Sequence, residues 1–172
     1  MENSIFVLCK SGRVLYSKSN NIKFKVDVNL FGKEIVCLSG TSNHCIAVTK
    51  EGRVFACSSN EYGQLGLYTK GKFVKEFTEI SSLKGYEIQE AYAGHYHSLF
   101  MTRDGKIFSC GNNKYGELLL NNGPTKKDIF SPRVTMVTEG ATFCIAGNCI
   151  SAVFVDCKPP PNVPNMKIQH HQ

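Results

Sequence analysis

The sequence repeats a 22-residue pattern without a gap, and the two copies lie 53 residues apart. The first copy runs from His44 to Leu65 and the second from His97 to Leu118. A period of about 50 residues is typical of an array of supersecondary units that bury their apolar faces against one another. Such arrays mostly present surfaces rather than one active site. The repeated scaffold positions are His44 with His97, Gly52 with Gly105, Asn60 with Asn113, Tyr62 with Tyr115, and Gly63 with Gly116.

Short apolar segments on either side of a glycine predict one β-hairpin in each copy. Residues 45–48 and 53–57 flank the turn at Gly52, and Gly105 occupies the same place in the second copy. Glycine suits a tight hairpin turn because it reaches positive φ angles without a steric clash. The sequence has no amphipathic helical pattern of useful length, so it predicts an all-β fold.

Weaker copies extend the array in both directions. Residues 5–17 repeat the hairpin, and residues 142–155 repeat only its first half. Lys158 stands where a turn glycine is expected, and the following prolines end any further strand. We expect units at about 1–40, 41–94 and 95–147, the start of a further unit at 148–157, and a disordered Pro- and Asn-rich tail at 158–172.

Composition excludes several classes of protein. The 172 residues carry a net charge of +6, and no apolar run approaches the roughly 18 residues of a membrane span. The N-terminus lacks the basic start and long apolar run of a secretory signal, so we expect an intracellular protein, cytoplasmic or nuclear. The eight cysteines form no C-x-x-C pair, which argues for buried thiols rather than disulfides or a zinc site.

Two arrangements of histidine and cysteine could carry chemistry, and neither is favoured. His95 and His97 alternate along a strand, but no third metal ligand follows at a suitable spacing. Cys110 with His97 could serve as a nucleophile and its base, yet both recur as repeat elements, and a catalytic pair has no reason to be duplicated. His170 and His171 lie in the predicted tail. We therefore predict no catalytic residue, no metal site and no cofactor.

Basic residues gather in the two variable stretches at 67–86 and 119–140. Loops on a rigid scaffold are where partner contacts concentrate, so these residues are the predicted partner contacts. The alternative is an ordinary solvated surface, and no nucleic-acid motif accompanies the charges, so nucleic acid is not the favoured partner. The six residues are Lys70, Lys72, Lys75, Lys126, Lys127 and Arg133.

The duplicated motif resembles the repeat of the regulator of chromosome condensation family. This resemblance implies seven-bladed β-propellers with four-stranded blades, of which the present chain would hold about three. Kelch repeats have a similar period but carry adjacent glycines and a tryptophan, and this sequence has no tryptophan. The matching residues are Gly40, His44, Thr49, Gly52, Asn60, Tyr62, Gly63, Gln64, Leu65 and Gly66 in one unit, and Gly94, His97, Ser98, Thr102, Asp104, Gly105, Gly111, Asn113, Tyr115 and Gly116 in the next.

Physical chemistry gives the repeated residues structural roles. We expect the two histidines to bond backbone inside their own unit, and the two asparagines to bond nearby backbone in turns. The tyrosines offer a large apolar ring with one polar tip, which suits packing between blades. Two departures from the motif stand out, since Ser58 and Ser59 replace the glycine seen at Gly111, and Glu117-Leu118-Leu119 replaces Gln64-Leu65-Gly66.

Three classes of function follow. The first is a non-enzymatic protein-interaction module that grips a protein partner through its loops. The second, implied by the resemblance, is a guanine-nucleotide exchange factor, or part of one, for a small GTPase; its nucleotide-displacing loop is not a repeat motif and has no assignable residue here. The third is chromatin or nucleic-acid binding through the basic loops. An incomplete ring leaves sheet faces and edges unpaired, so we also expect self-association or further blades.

Overall fold

The computed structural model describes residues 4–18, 23–69, 71–125 and 127–156, and these residues form thirteen β-strands in four antiparallel sheets. The first sheet contains β1 (Ser4–Leu8), β2 (Val14–Lys18) and β3 (Lys25–Val26). The second contains β4 (Ile35–Gly40), β5 (His44–Thr49), β6 (Val54–Ser59) and β7 (Phe73–Glu79). The third contains β8 (Ile88–Ala93), β9 (His97–Thr102), β10 (Ile107–Gly111) and β11 (Ile129–Val134). The fourth contains β12 (Ala141–Ala146) and β13 (Ser151–Val155).

Each sheet is a meander in which consecutive strands pair, and equivalent strands keep the same register. His44 lies opposite Ser58 in the second sheet, and His97 lies opposite Gly111 in the third. By the same register β1 is equivalent to β5 and β9, so the first sheet begins with a second strand. The described part of the fourth sheet consists of a first and a second strand. The predicted all-β architecture of propeller blades is confirmed, with two complete four-stranded blades.

The expected unit boundaries fall inside the sheets. The boundary at 40/41 lies between β4 and β5, that at 94/95 between β8 and β9, and that at 147/148 between β12 and β13. The sequence repeat and the sheet are therefore offset by one strand. The expected tail at 158–172 lies outside the described residues.

A glycine turn closes the central hairpin of each complete blade. Gly105 has a φ of 78°, and its N–H donates to the carbonyl oxygen of Thr102 at 3.0 Å. The N–H of Thr102 in turn donates to the carbonyl oxygen of Lys106 at 2.9 Å. A positive φ at this position strains any residue that has a Cβ, which explains why the turn carries glycine in both copies.

The hydrophobic core lies between neighbouring sheets. Because successive strand residues point to opposite faces, each sheet has a forward face, toward the next sheet in chain order, and a backward face, toward the previous one. The forward residues Ile46 and Val48 of β5 pack with the backward residues Phe100 and Phe108 of the third sheet. Two further clusters join the first sheet to the second and the third to the fourth. The chain is thus a row of blades stacked face to face.

Several cysteines are part of this core as free thiols. Cys45, Cys57, Cys110 and Cys144 are buried, and burial raises the pKa of the Cys57 thiol to about 12. A protonated, buried thiol behaves as a small apolar side chain and a poor nucleophile. Within the described ranges, no helix has the length and apolarity needed to cross a bilayer.

Candidate partner-binding surface

The long loops of the second and third sheets emerge at the same end of the blades. In an antiparallel meander, the link between strands one and two and the link between strands three and four lie at one end. We call this end the loop end and define it as residues 41–43, 60–72, 94–96 and 112–128, apart from the undescribed Lys70 and Lys126. The opposite end carries the tight turns, including those at Gly52 and Gly105. The loop end therefore offers the larger and more variable surface.

Asn60 and Asn113 organise the two longest loops in the same way. The side-chain oxygen of Asn60 accepts a hydrogen bond from the N–H of Leu65 at 3.0 Å, and that of Asn113 accepts one from Leu118 at 3.0 Å. The amide nitrogen of Asn113 also donates to the carbonyl oxygen of Gly123 at 2.9 Å. Both asparagines are buried. The duplicated residues thus hold the loops from inside and leave the loop surface to their neighbours.

The two repeated tyrosines have different environments. The ring of Tyr62 packs on the ring of Tyr96 from the third sheet, with centroids 4.7 Å apart. Tyr115 was expected to pack between blades as well, but 62% of it is exposed, and the ammonium of Lys114 lies over its ring. The residue equivalent to Tyr96 in the fourth unit is Cys149, which is too small to form the same stack. Tyr115 is therefore available at the loop end.

The loop after β6 crosses onto the next blade. A Cβ placed on Gly63 would lie 2.7 Å from the Cα of Phe130 in β11, so only glycine fits there. The N–H of Tyr68 donates to the carbonyl oxygen of Phe130 at 2.9 Å. A Cβ on Gly116, the equivalent residue, would meet nothing closer than 3.5 Å. The first loop is clamped by its neighbour, whereas the second is free of such contact in the described residues.

The predicted partner contacts lie along the outer strands. Lys72 and Lys127 are exposed at the loop end, shortly before β7 and β11, while Lys75 and Arg133 are exposed within these strands. Lys70 and Lys126 lie outside the described residues. The ion pairs Arg53–Glu79 and Arg103–Glu87, by contrast, involve residues of the opposite end. The loop end also presents Lys114, which lies outside the basic clusters of the sequence although it adjoins the motif residue Tyr115.

His44 and His97 join adjacent blades. The Nε2 atom of His44 lies 2.8 Å from the hydroxyl oxygen of Ser98, and that of His97 lies 2.9 Å from the hydroxyl oxygen of Ser151. The expectation that the imidazoles bond backbone inside their own unit is therefore wrong. The Ser98 hydroxyl donates to the carbonyl oxygen of Gln64 at 2.6 Å, so its oxygen accepts a hydrogen bond from the Nε2–H of His44.

Burial keeps both imidazoles neutral near pH 7. Burial, reinforced by the rings of His97 and His95, lowers the pKa of His44 to about 3, and burial lowers the pKa of His97 to about 4. The Nδ1 atoms of both rings are buried and have no hydrogen-bond partner among the described residues. A second proton would therefore add an unpaired buried charge, which is strongly unfavourable. These histidines are connectors of the scaffold.

The cysteine and histidine arrangements weighed as reactive pairs have other partners. The Cys110 thiol lies 3.4 Å from the carbonyl oxygen of Gln64, and burial raises its pKa. His97, its proposed base, bonds Ser151 instead. Across the described residues, no group of three or more His, Cys, Asp or Glu side chains could hold a metal ion.

The sequence of these blades matches a known repeat family and several known proteins. A model of the regulator of chromosome condensation (RCC1) repeat matches residues 35–64 and 88–117, and a second model of that repeat matches residues 51–101. The chain is 31% identical over 123 residues to the secretion-regulating guanine nucleotide exchange factor of Bos taurus, covering 68% of this chain and 26% of that protein. It is 37% identical over 102 residues to the probable E3 ubiquitin-protein ligase HERC4 of Homo sapiens, covering 59% and 9%.

Solved structures show the same fold at lower identity. The structure of human WBSCR16 matches with a TM-score of 0.75 and 18% identity, over 90% of this chain and 43% of that one. Prp20p from Saccharomyces cerevisiae matches with a TM-score of 0.74 and 18% identity, over 90% and 40%. The chain spans about a quarter of the length of the curated exchange factors it matches.

Proposed function

The chain is a member of the regulator of chromosome condensation (RCC1) repeat family, and on that premise we propose that it is a non-enzymatic protein-interaction module that binds an acidic segment of a partner at its loop end. The observation that supports the proposal is a difference in burial among the residues of the repeated motif. His44, Asn60 and their copies are buried and hold the frame, whereas Tyr115 and the adjacent Lys114 face solvent.

The charge of the loop end favours an acidic partner. Lys72, Lys114 and Lys127 are exposed there, whereas among the acidic residues of the same loops in the described ranges Glu61 is exposed and Asp128 is partly exposed. Glu117 is buried and accepts a hydrogen bond from the N–H of Tyr115 at 2.8 Å, so its carboxyl group faces the loop backbone rather than solvent. Clustered positive charge attracts acidic groups and speeds their association. Exposed tyrosines add contact area at a small cost in conformational entropy.

An array of peptides rich in Asp and Glu, each matched by an Asn/Gln version, tests this proposal. We expect the chain to bind acidic peptides, and the combined Lys72→Glu and Lys127→Glu variant to bind at least tenfold more weakly. The combined Lys10→Glu and Lys84→Glu variant changes the net charge equally at exposed sites of the opposite end and serves as the control. Equal binding by all three proteins would refute the loop end as the site.

Duplex DNA added as a competitor separates protein recognition from nucleic-acid binding. Under the proposal, DNA at physiological salt displaces little of the bound peptide. Tight binding of DNA that weakens steeply with salt would instead assign the basic loops to nucleic acid, because phosphate contacts release counterions.

Guanine-nucleotide exchange on a small GTPase is a second candidate function. Its support is the 31% identity to a protein named a secretion-regulating guanine nucleotide exchange factor. Release of fluorescently labelled GDP from a panel of small GTPases is the direct test. Faster release from one GTPase in the presence of the chain would support exchange, and unchanged release across the panel would exclude it for this chain.

A further inference from the structure

The two ends of the row of blades expose apolar faces. On the forward face of the fourth sheet, Ile145 and Phe154 are each about half exposed, and Phe154 has an exposed fraction of 53%. On the backward face of the first sheet, Ile5 and Val7 have exposed fractions of 53% and 39%. Apolar side chains grouped in this way on a sheet face mark an interaction surface rather than ordinary surface scatter.

The exposed faces are of opposite kinds and so can match. Each interface inside the chain joins the forward face of one sheet to the backward face of the next, as the contact of His44 with Ser98 and that of His97 with Ser151 both show. The fourth sheet has an open forward face, and the first sheet has an open backward face. One molecule can therefore offer another the same type of interface that already joins its own blades.

At both of these faces, the position that holds the histidine or the serine of the interior contact carries a different residue. Ile150 stands at the place of His97, since Gly147 donates its N–H to the carbonyl oxygen of Ile150 at 2.8 Å just as Gly94 does to that of His97. The register of β1 with β2 places Ile5 at the position of Ser98. Isoleucine thus replaces both halves of the histidine–serine pair.

An apolar contact at this position requires that both the histidine and the serine are replaced by apolar residues. An isoleucine facing a histidine or a serine in a dry interface would leave a polar group without its hydrogen bond, which is costly. Two isoleucines facing each other bury only apolar surface. Ile150 and Ile5 have exposed fractions of 65% and 53%, whereas His97 and Ser98 have 0%, so the described residues leave both isoleucines uncovered.

We propose that the forward face of the fourth sheet binds the backward face of the first sheet of a second copy of this chain, head to tail. In this interface Ile150 of one copy lies against Ile5 of the second copy, and Phe154 lies near Val7 of the second copy. The contact has the same geometry as the interface between blades inside the chain, with an isoleucine pair in place of the histidine–serine pair. Such an interface is heterologous, so it forms a ring when the rotation closes and a longer chain when it does not.

Light scattering coupled to size exclusion, over a range of concentrations of the full chain, tests the assembly. We expect a mass of two or more times the 19.1 kDa of one chain, falling toward that value on dilution. Ile150→His alone and Ile5→Ser alone each shift the dissociation midpoint at least tenfold higher. The double variant restores the histidine–serine pair and assembles more tightly than either single variant. Val28→Ser, at an exposed site away from both faces, leaves the midpoint unchanged.

Cross-linking gives an independent readout that does not depend on affinity. In a Cys149→Ser background, Ile5→Cys and Ile150→Cys together form a disulfide between copies when oxidised with oxidised glutathione. Replacing Ile5→Cys by Phe31→Cys removes the cross-link. The proposal is overturned if the chain is a monomer at every concentration. It is also overturned if both single variants leave the assembly intact, or if Phe31→Cys cross-links as well as Ile5→Cys. In each case the two faces would not bind a second copy of this chain.

Discussion

The Nε2 atom of His44 and the hydroxyl oxygen of Ser98 lie 2.8 Å apart across two blades, and His97 and Ser151 repeat this contact at 2.9 Å. In both pairs the partner lies 54 residues along the chain, one unit further on. The duplicated histidine is therefore a device for joining blades. Since the Ser98 hydroxyl also donates to the carbonyl oxygen of Gln64, one serine ties together two strands and a loop.

Removing the serine should weaken the joint measurably. We expect Ser98→Ala to lower the free energy of unfolding by about 1–3 kcal/mol, because it leaves a buried donor on His44 unpaired and leaves the Gln64 carbonyl oxygen with only the weak Cys110 thiol as a donor. Urea unfolding measures the change, and Ser42→Ala at an exposed loop position is the control, with a change within about 0.5 kcal/mol. A double-mutant cycle with His44→Leu should give a coupling energy above about 0.5 kcal/mol. Additive effects would show that the pair contributes no energy of its own.

The buried imidazoles predict loss of stability in mild acid. An unfolded histidine titrates near pH 6.5, whereas the pKa values of His44 and His97 in the fold are about 3 and about 4. Below pH 6.5 the unfolded chain binds more protons than the folded chain, so stability is complete above that pH and is lost as the pH falls. Each histidine contributes about 1.4 kcal/mol per pH unit.

Urea unfolding between pH 7.5 and pH 5 measures this slope. We expect His44→Gln and His97→Gln each to flatten the pH dependence by about 2 kcal/mol over this window, whatever their effect at pH 7.5. Ser42→Ala, at an exposed loop position, removes no titratable group and should keep the wild-type slope. An unchanged slope in both connector variants would contradict the assignment.

The local features of the fold could be predicted from the sequence. The glycine turns and hairpins depend on a few adjacent residues, and Gly105 has the positive φ that its place in the motif predicts. Even the substituted positions keep the backbone of their counterparts, since Leu119 has a φ of 53° where Gly66 has 67°. These turns and hairpins depend only on residues within one unit, so the sequence of a single repeat is enough to predict them.

Contacts between units could not be predicted in this way. Periodicity shows that His44 and His97 are equivalent, but not that their partner is the serine of the next blade, because that depends on how the sheets stack. Tyr62 and Tyr115 are the same motif residue, yet one packs on Tyr96 and the other is exposed. What decides between these environments is the neighbouring unit, which supplies a tyrosine in one case and Cys149 in the other.

Gly63 and Gly116 provide a matched test of the loop that crosses between blades. Both have a positive φ, 81° and 87°, so alanine should cost about 1–2 kcal/mol at either position from backbone strain. At Gly63 the new Cβ would also collide with the backbone of Phe130, which adds about 1–3 kcal/mol. We expect Gly63→Ala to be the more destabilising variant by that margin in thermal or urea unfolding. Equal losses would mean that the loop does not press on β11 in solution.

Ser58 and Gly111 occupy the same position in successive units. Substituting each by the residue of the other measures the backbone strain that a side chain causes at this position. Ser58 has a φ of 85°, which strains a residue with a Cβ by about 1–2 kcal/mol, while glycine adds about 0.4–1 kcal/mol of entropy to the unfolded chain. We expect Ser58→Gly to raise the free energy of unfolding by about 0.5–1 kcal/mol. The reverse change, Gly111→Ser, places a Cβ 2.4 Å from the carbonyl oxygen of Tyr96 and should cost more than about 2 kcal/mol. Urea unfolding of both variants measures the contrast, and stabilisation by Gly111→Ser or destabilisation by Ser58→Gly would show that the positive φ at this position does not strain a side chain.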